Sequence, residues 1–112
     1  MDIIEKLTRT LESRRDADPA TSYVASLYAK GLNKILEKIG EESTEVILAA
    51  KEVEGGADKA ALIHEVADLW FHSLVVLVHL NVDPQEVLQA LKDRSGVSGH
   101  DEKRARAPEP GN

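Results

Sequence analysis

The chain has 112 residues, no cysteine and a formal net charge of −6 at pH 7. This length allows one domain with a modest core, and the lack of cysteine excludes disulfides, thiolate metal sites and a cysteine nucleophile. The acidic balance disfavours a nucleic-acid partner, which would need a basic face, and the composition is compatible with a reducing cytoplasm, where we expect the protein to be located.

Two short amphipathic segments begin the chain. Residues 2–15 place Ile3, Leu7 and Leu11 at helical spacing, and Asp2 can cap the first turn. A break around Pro19 follows, because a proline disfavours helical geometry in the residue before it. A second helix is predicted from Ser22 to Lys30, ending at Gly31.

The third predicted helix is long and carries the first group of acidic residues. It should run from about Leu32 to Val53 and stop at the Gly55-Gly56 pair. Its expected buried side chains are Ile35, Ile39, Val46, Ile47 and Ala50. Its acidic group consists of Glu41, Glu42 and Glu45, which cluster on one face because a helix turns by roughly 100° per residue.

The fourth predicted helix, from about Ala61 to Leu80, is mostly apolar and has Asp58 as a candidate N-cap. Its polar residues Glu65, Asp68, His72 and His79 form one stripe. The segment is long enough to span a bilayer, but two carboxylates within it make insertion costly. We therefore interpret it as a buried helix and expect no membrane partner. We interpret His72 as a buried histidine hydrogen-bonded to a carboxylate.

A fifth helix is predicted from Pro84 to Ser95, with Asp83 as its N-cap and the proline at the first helical position. No segment alternates as a strand would. The sequence thus predicts an all-α helical bundle of four to five helices over residues 1–96 and a flexible tail over residues 97–112. Because the fourth helix is apolar on too many sides for one small chain to cover, we expect a homodimer to complete the bundle.

The two acidic groups, nineteen residues apart, predict a cation site. If the third and fourth helices pack antiparallel, their carboxylates converge between them, and like charges so close repel strongly. A bound cation would relieve this repulsion. Oxygen ligands without histidine or cysteine at matching spacing favour Mg²⁺ or Mn²⁺ over Zn²⁺.

Basic residues precede the acidic group at steps of four. Lys30, Lys34 and Lys38 would form a strip leading towards the carboxylates, and Arg14, Arg15 and Arg94 are further candidates for contact with phosphate. The alternative for the lysines is a solvent-exposed helix face.

The combined pattern resembles a known family. Its elements are Ser22-Tyr23, Lys30-Gly31, the run from Lys38 to Glu42, Glu45-Val46, Ala49-Ala50-Lys51, and Glu65 to Leu69 with His72. They are similar to those of the all-α nucleoside triphosphate pyrophosphohydrolases, and most closely to the phosphoribosyl-ATP pyrophosphohydrolases of histidine biosynthesis. The resemblance covers about residues 7–94. Glu37 and Phe71 depart from it, since the family often has a lysine and an aromatic hydroxyl at these positions.

The resemblance implies Mg²⁺-dependent cleavage of phosphoribosyl-ATP to phosphoribosyl-AMP and pyrophosphate. It implies metal ligands at Glu42, Glu45, Glu65 and Asp68, and makes Glu41 a further ligand or a base acting on water. Glu41, Glu42 and Glu45 are thus candidate catalytic residues, and Lys30, Lys34, Lys38 and Arg94 candidate substrate-binding residues. Two alternatives remain: a housecleaning hydrolase of canonical or damaged nucleoside triphosphates, and a non-catalytic dimerisation module with a structural metal.

Overall fold

The computed structural model describes residues 2–96, which contain five α-helices and no strand. The helices are α1 (Ile3–Ser13), α2 (Tyr23–Lys30), α3 (Leu32–Glu54), α4 (Ala60–His79) and α5 (Pro84–Ser95), with a 3₁₀ turn at Arg14–Asp16 after α1. The predicted all-α class is confirmed. The tail predicted for residues 97–112 lies outside the described residues.

The helices begin where their capping residues allow. Asp2, Ser22 and Asp83 each accept a hydrogen bond from a backbone N–H two or three residues later, at 2.8, 3.1 and 2.9 Å. Each bond satisfies a donor that the first turn leaves unpaired, which contributes on the order of 1 kcal/mol. Gly31 separates α2 from α3, and its φ of 93° favours glycine.

The longest two helices, α3 and α4, pack against each other as an antiparallel hairpin. The hydrophobic core lies where α1 and α2 also reach this hairpin, and its fully buried side chains are Leu11, Leu27, Ile35 and Val75. Burial of one such side chain contributes about 1.5–3 kcal/mol. The core therefore covers one half of the hairpin. In the other half, among residues 2–96, α3 and α4 pack only against each other.

The uncovered half of the hairpin corrects part of the predicted core. Ile47 and Ala50 are exposed, and the buried position on this stretch of α3 is Ala49. On α4, Ile63 and Trp70 are likewise exposed. The reason is that no third helix within residues 2–96 covers these faces.

Helix α4 is therefore buried along its second half only, where His72, Leu74, Val75 and Val78 face the core. Within the described residues it is also the one helix that is long and apolar enough to cross a membrane. That criterion concerns length and composition, and the core helix of a soluble protein meets it as well.

Arg15 has a structural role that the sequence did not predict. Its guanidinium group donates hydrogen bonds to the backbone oxygen of Val78 and, at 3.0 Å, to the side-chain oxygen of Asn81. Asn81 follows α4 in a left-handed conformation with φ of 59°. Arg15 thus binds the C-terminal end of α4, and its contact with phosphate stays a prediction.

Candidate active site

Three carboxylates meet between α3 and α4. Glu42 and Glu45 lie on α3 and Glu65 lies on α4, and one carboxylate oxygen from each lies within 4.8 Å of the other two. We call these three residues the acidic cluster. The i, i+3 spacing of the α3 pair turns both side chains towards α4, and the hairpin brings Glu65 opposite them.

Two oxygens of the acidic cluster are buried without a hydrogen-bond partner among the described residues. Glu42 is only 9% exposed, and its Oε2 atom accepts no hydrogen bond from any of them. The Oε2 atom of Glu65 is buried and unpartnered as well. Burying an ionised oxygen without a donor is costly, and native proteins normally avoid it. Carboxylate oxygens in this state fit a hard divalent cation such as Mg²⁺ or Mn²⁺.

The electrostatics of the cluster favour protonation when no cation is bound. The pKa of Glu42 is raised, first by burial and then by the charges of Glu45 and Asp68. The pKa of Glu65 is raised to about 7, first because its protonated form hydrogen-bonds to Glu45, then by burial and by repulsion from Glu45 and Glu42. Without a cation, protonation therefore relieves part of the repulsion between these carboxylates.

Asp68, the fourth predicted ligand, lies at the outer edge of the cluster. Its carboxylate is 3.2 Å from Nε2 of His64, one helical turn earlier. One ligand atom from each of His64, Glu65 and Asp68 also lies within 4.8 Å of the other two. Glu65 is thus shared by both groups, while Asp68 belongs only to the outer one.

Glu41 lies outside the acidic cluster. Its side chain is 47% exposed and pairs with Lys38 at 3.3 Å. Lys34 pairs in the same way with Glu37, also at 3.3 Å. The roles of Glu41 in catalysis and of the two lysines in substrate binding stay predictions.

Only two of the three lysines of the predicted strip, Lys34 and Lys38, lie on the same helix. Lys30 is the last residue of α2, and the chain turns at Gly31 before α3 begins, so the four-residue step does not place Lys30 on the face of Lys34 and Lys38. Arg94 lies in the last turn of α5, a helix that contacts α1 and α4. Substrate binding by Lys30 and Arg94 also stays a prediction.

His72 links the edge of the acidic cluster to α2. It is 6% exposed, its Nδ1 atom lies 2.9 Å from the backbone oxygen of Asp68, and its Nε2 atom lies 2.7 Å from the hydroxyl of Tyr23. The prediction that His72 is buried is confirmed, but its partners are a carbonyl and a hydroxyl, and not a carboxylate. The sequence did not predict that Tyr23 is the partner of His72, because the two residues lie 49 positions apart along the chain.

An all-α hairpin with facing carboxylates is suited to a hydrolase that acts on a phosphoanhydride through divalent cations. The family model for phosphoribosyl-ATP pyrophosphohydrolase matches residues 4–95. The chain therefore belongs to the phosphoribosyl-ATP pyrophosphohydrolase family, a family of hydrolases in histidine biosynthesis.

Proposed function

We propose that this protein hydrolyses phosphoribosyl-ATP to phosphoribosyl-AMP and pyrophosphate in histidine biosynthesis, with Mg²⁺ as its cofactor and Mn²⁺ as a possible substitute. The family match supports the reaction. The observation that supports the site is a pair of buried oxygens, one on Glu42 of α3 and one on Glu65 of α4, that have no hydrogen-bond partner among residues 2–96.

In this proposal the acidic cluster holds the cation, together with Asp68 at its edge. When bound, Mg²⁺ neutralises phosphate oxygens and stabilises the pyrophosphate that leaves. The carboxylates supply fixed negative charge between two packed helices, so the cation position is set before substrate arrives. The second half of α4 packs against the core and so positions the helix that carries Glu65 and Asp68.

Hydrolysis also needs an activated water molecule. Water adds to one phosphorus of the α–β bridge, the bond from that phosphorus to the bridging oxygen breaks, and the proton of the water passes to a carboxylate. Glu41 suits this role because it lies beside the cluster without belonging to it. Lys34 and Lys38 lie on the same helix, and their positive charges can attract the phosphates.

The reaction is tested by incubating purified protein with phosphoribosyl-ATP, with and without Mg²⁺, while measuring pyrophosphate. We expect Mg²⁺-dependent release from phosphoribosyl-ATP and none from ordinary deoxynucleoside triphosphates. The reverse preference would make the protein a housecleaning hydrolase and refute the proposal. Activity in neither assay would favour the dimerisation module.

We also propose that the protein acts as a homodimer in the cytoplasm and binds neither nucleic acid nor membranes. Large apolar side chains on α3 and α4 are exposed in the single chain: Leu36, Ile47, Leu48, Ile63 and Trp70. Contiguous exposed apolar surface marks an interaction site. A second copy of the same hairpin would cover it, in keeping with the two-fold symmetry that most small oligomers adopt.

A further inference from the structure

The hydrogen bonds of His72 fix which of its nitrogens carries the proton. Its Nδ1 atom lies 2.9 Å from the backbone oxygen of Asp68, and a carbonyl oxygen can only accept a hydrogen bond. Nδ1 must therefore donate. In the neutral ring Nε2 then has a lone pair, and the Tyr23 hydroxyl, 2.7 Å away, donates its hydrogen to it.

The ring of His72 cannot easily turn to reverse this arrangement. It is 6% exposed, and the rings of Tyr23 and Phe71 meet it edge to face, with centroids 5.9 and 5.5 Å away. The hydroxyl hydrogen of Tyr23 is therefore committed to His72. Only the lone pairs of the Tyr23 oxygen remain for a ligand, so Tyr23 can accept a hydrogen bond but cannot donate one.

The hydrogen bonds of His72 place this oxygen at the edge of the acidic cluster, because His72 bonds to Tyr23 through Nε2 and to the backbone of Asp68 through Nδ1. In keeping with this position, burial raises the pKa of Tyr23, the charge of Lys38 lowers it, and the charges of Glu42, Glu41 and Asp68 raise it. The Lys38 ammonium group pairs with Glu41. Tyr23 also lines a cleft of about 420 Å³.

This cleft differs in character from the acidic cluster. Its polar lining residues are Arg14, Thr21, Ser22 and Tyr23, and no carboxylate of residues 2–96 lines it. A nucleotide whose phosphates lie at the acidic cluster could extend into the cleft, and its sugar would then pass the Tyr23 oxygen. Because the Tyr23 oxygen can only accept a hydrogen bond, an O–H group of the ligand would suit it.

We propose that Tyr23 is a hydrogen-bond acceptor at the edge of the acidic cluster, set in that state by the positioning residue His72, and that it orients an O–H group during the reaction. The O–H group belongs either to a sugar of the substrate or to a water molecule on the cation. This inference rests on the proposed function, because it takes the acidic cluster as the reaction centre.

The test compares Tyr23→Phe with Tyr28→Phe. Tyr28 lies on the same helix, donates its hydroxyl to the backbone oxygen of Leu11 at 2.9 Å, and stacks on His79, so its variant loses a comparable bond away from the cluster. We expect Tyr23→Phe to lower kcat/KM for phosphoribosyl-ATP about tenfold, the loss that follows from removing one hydrogen bond. We expect Tyr28→Phe to change only the melting temperature.

Mn²⁺ titration without substrate, followed by electron paramagnetic resonance, separates the two sources of the O–H group. Unchanged Mn²⁺ affinity in Tyr23→Phe assigns the group to the substrate, whereas weaker affinity assigns it to water on the cation. Equal kcat/KM for the Tyr23→Phe and Tyr28→Phe variants would overturn the inference.

A spectroscopic measurement tests the role of His72 directly. Nitrogen-15 NMR of the full chain should show the Nδ1–H tautomer in the wild type and a changed Nε2 shift in Tyr23→Phe. An Nε2–H tautomer would overturn the inference, because Tyr23 would then be free to donate. This measurement needs no substrate, so it decides the inference separately from the proposed function, which fails instead if the wild type releases no pyrophosphate.

Discussion

Glu45 of α3 and Glu65 of α4 each place a carboxylate oxygen within 4.8 Å of the other, and hydrogen bonding to Glu45 is the first cause that raises the pKa of Glu65 to about 7. Two carboxylates in this arrangement cannot both ionise without repulsion. Either a proton or a cation must lie between them. The repulsion between these two carboxylates therefore favours cation binding at the site and also makes the stability of the metal-free protein depend on pH.

The first prediction concerns pH. The pKa of Glu65 in the folded protein is about 7, against an ordinary value of 4.5, so the folded state binds more protons than the unfolded state in this interval. The stabilisation that protonated Glu65 provides is fully present below pH 4.5 and is lost as pH rises through about 7. The melting temperature of the metal-free protein should fall across this range, as differential scanning fluorimetry can measure.

Glu65→Gln should flatten this fall, since the variant has no carboxyl to ionise at that position. Glu54→Gln is the matched control, because Glu54 lies at the end of α3 in an exposed pair with Lys51. An equal flattening by both variants would contradict the assignment to Glu65.

The second prediction concerns substitution within the acidic cluster. Glu42→Gln should raise the melting temperature of the metal-free protein, because it removes a buried charge that has no partner on Oε2. The same change should lower kcat by about 100-fold or more, since a weakened cation site forfeits several kcal/mol of transition-state stabilisation. A variant that keeps full activity, or one that loses stability and activity together, would contradict the account.

Much of this site could be predicted from the sequence, because helical periodicity alone places acids on one face. Glu42 and Glu45 meet Glu65 as their spacing indicated. Glu41 has the same type of side chain and lies next to Glu42 in the sequence, yet its carboxylate pairs with Lys38 outside the acidic cluster. Which face of α3 meets α4 depends on packing of the whole hairpin, and local spacing does not define it to within one residue.

The third prediction separates Arg15 from Arg14. Arg15→Ala should destabilise the fold by about 1–2 kcal/mol, because it removes the two hydrogen bonds that the guanidinium group donates to the carbonyl of Val78 and the side chain of Asn81. Arg14→Ala, which removes the neighbouring arginine but neither bond, should change the free energy of unfolding little. Urea denaturation of both variants measures the difference, and equal losses would contradict the role given to Arg15.

The fourth prediction concerns the exposed hairpin face. Trp70→Glu should convert a dimer of twice the 12.3 kDa chain mass to a monomer, because a charge at the centre of an apolar interface is costly to bury. Ile3→Glu is the control, since Ile3 is equally exposed but lies on α1. Analytical ultracentrifugation of the wild type and both variants tests this, and a monomeric wild type at micromolar concentration would refute the dimer.

The remaining differences between expectation and structure arise from contacts distant in sequence. Lys30 continued a four-residue spacing, but Gly31 ends its helix and removes it from the strip. Ile47 matched the pattern of a core residue, yet no helix of the described part of the chain covers its side of α3. Sequence periodicity identifies apolar faces, and it does not state whether the same chain or another copy covers them.

The most direct test of the central claim is a calorimetric titration of metal-free protein with Mg²⁺ at pH 7, in two buffers with different ionisation enthalpies. We predict binding with proton release, because the cation displaces the proton that Glu65 shares with Glu45, and loss of this binding in Glu42→Gln. No binding by the wild type, or binding that Glu42→Gln leaves unchanged, would show that the acidic cluster is not the cation site.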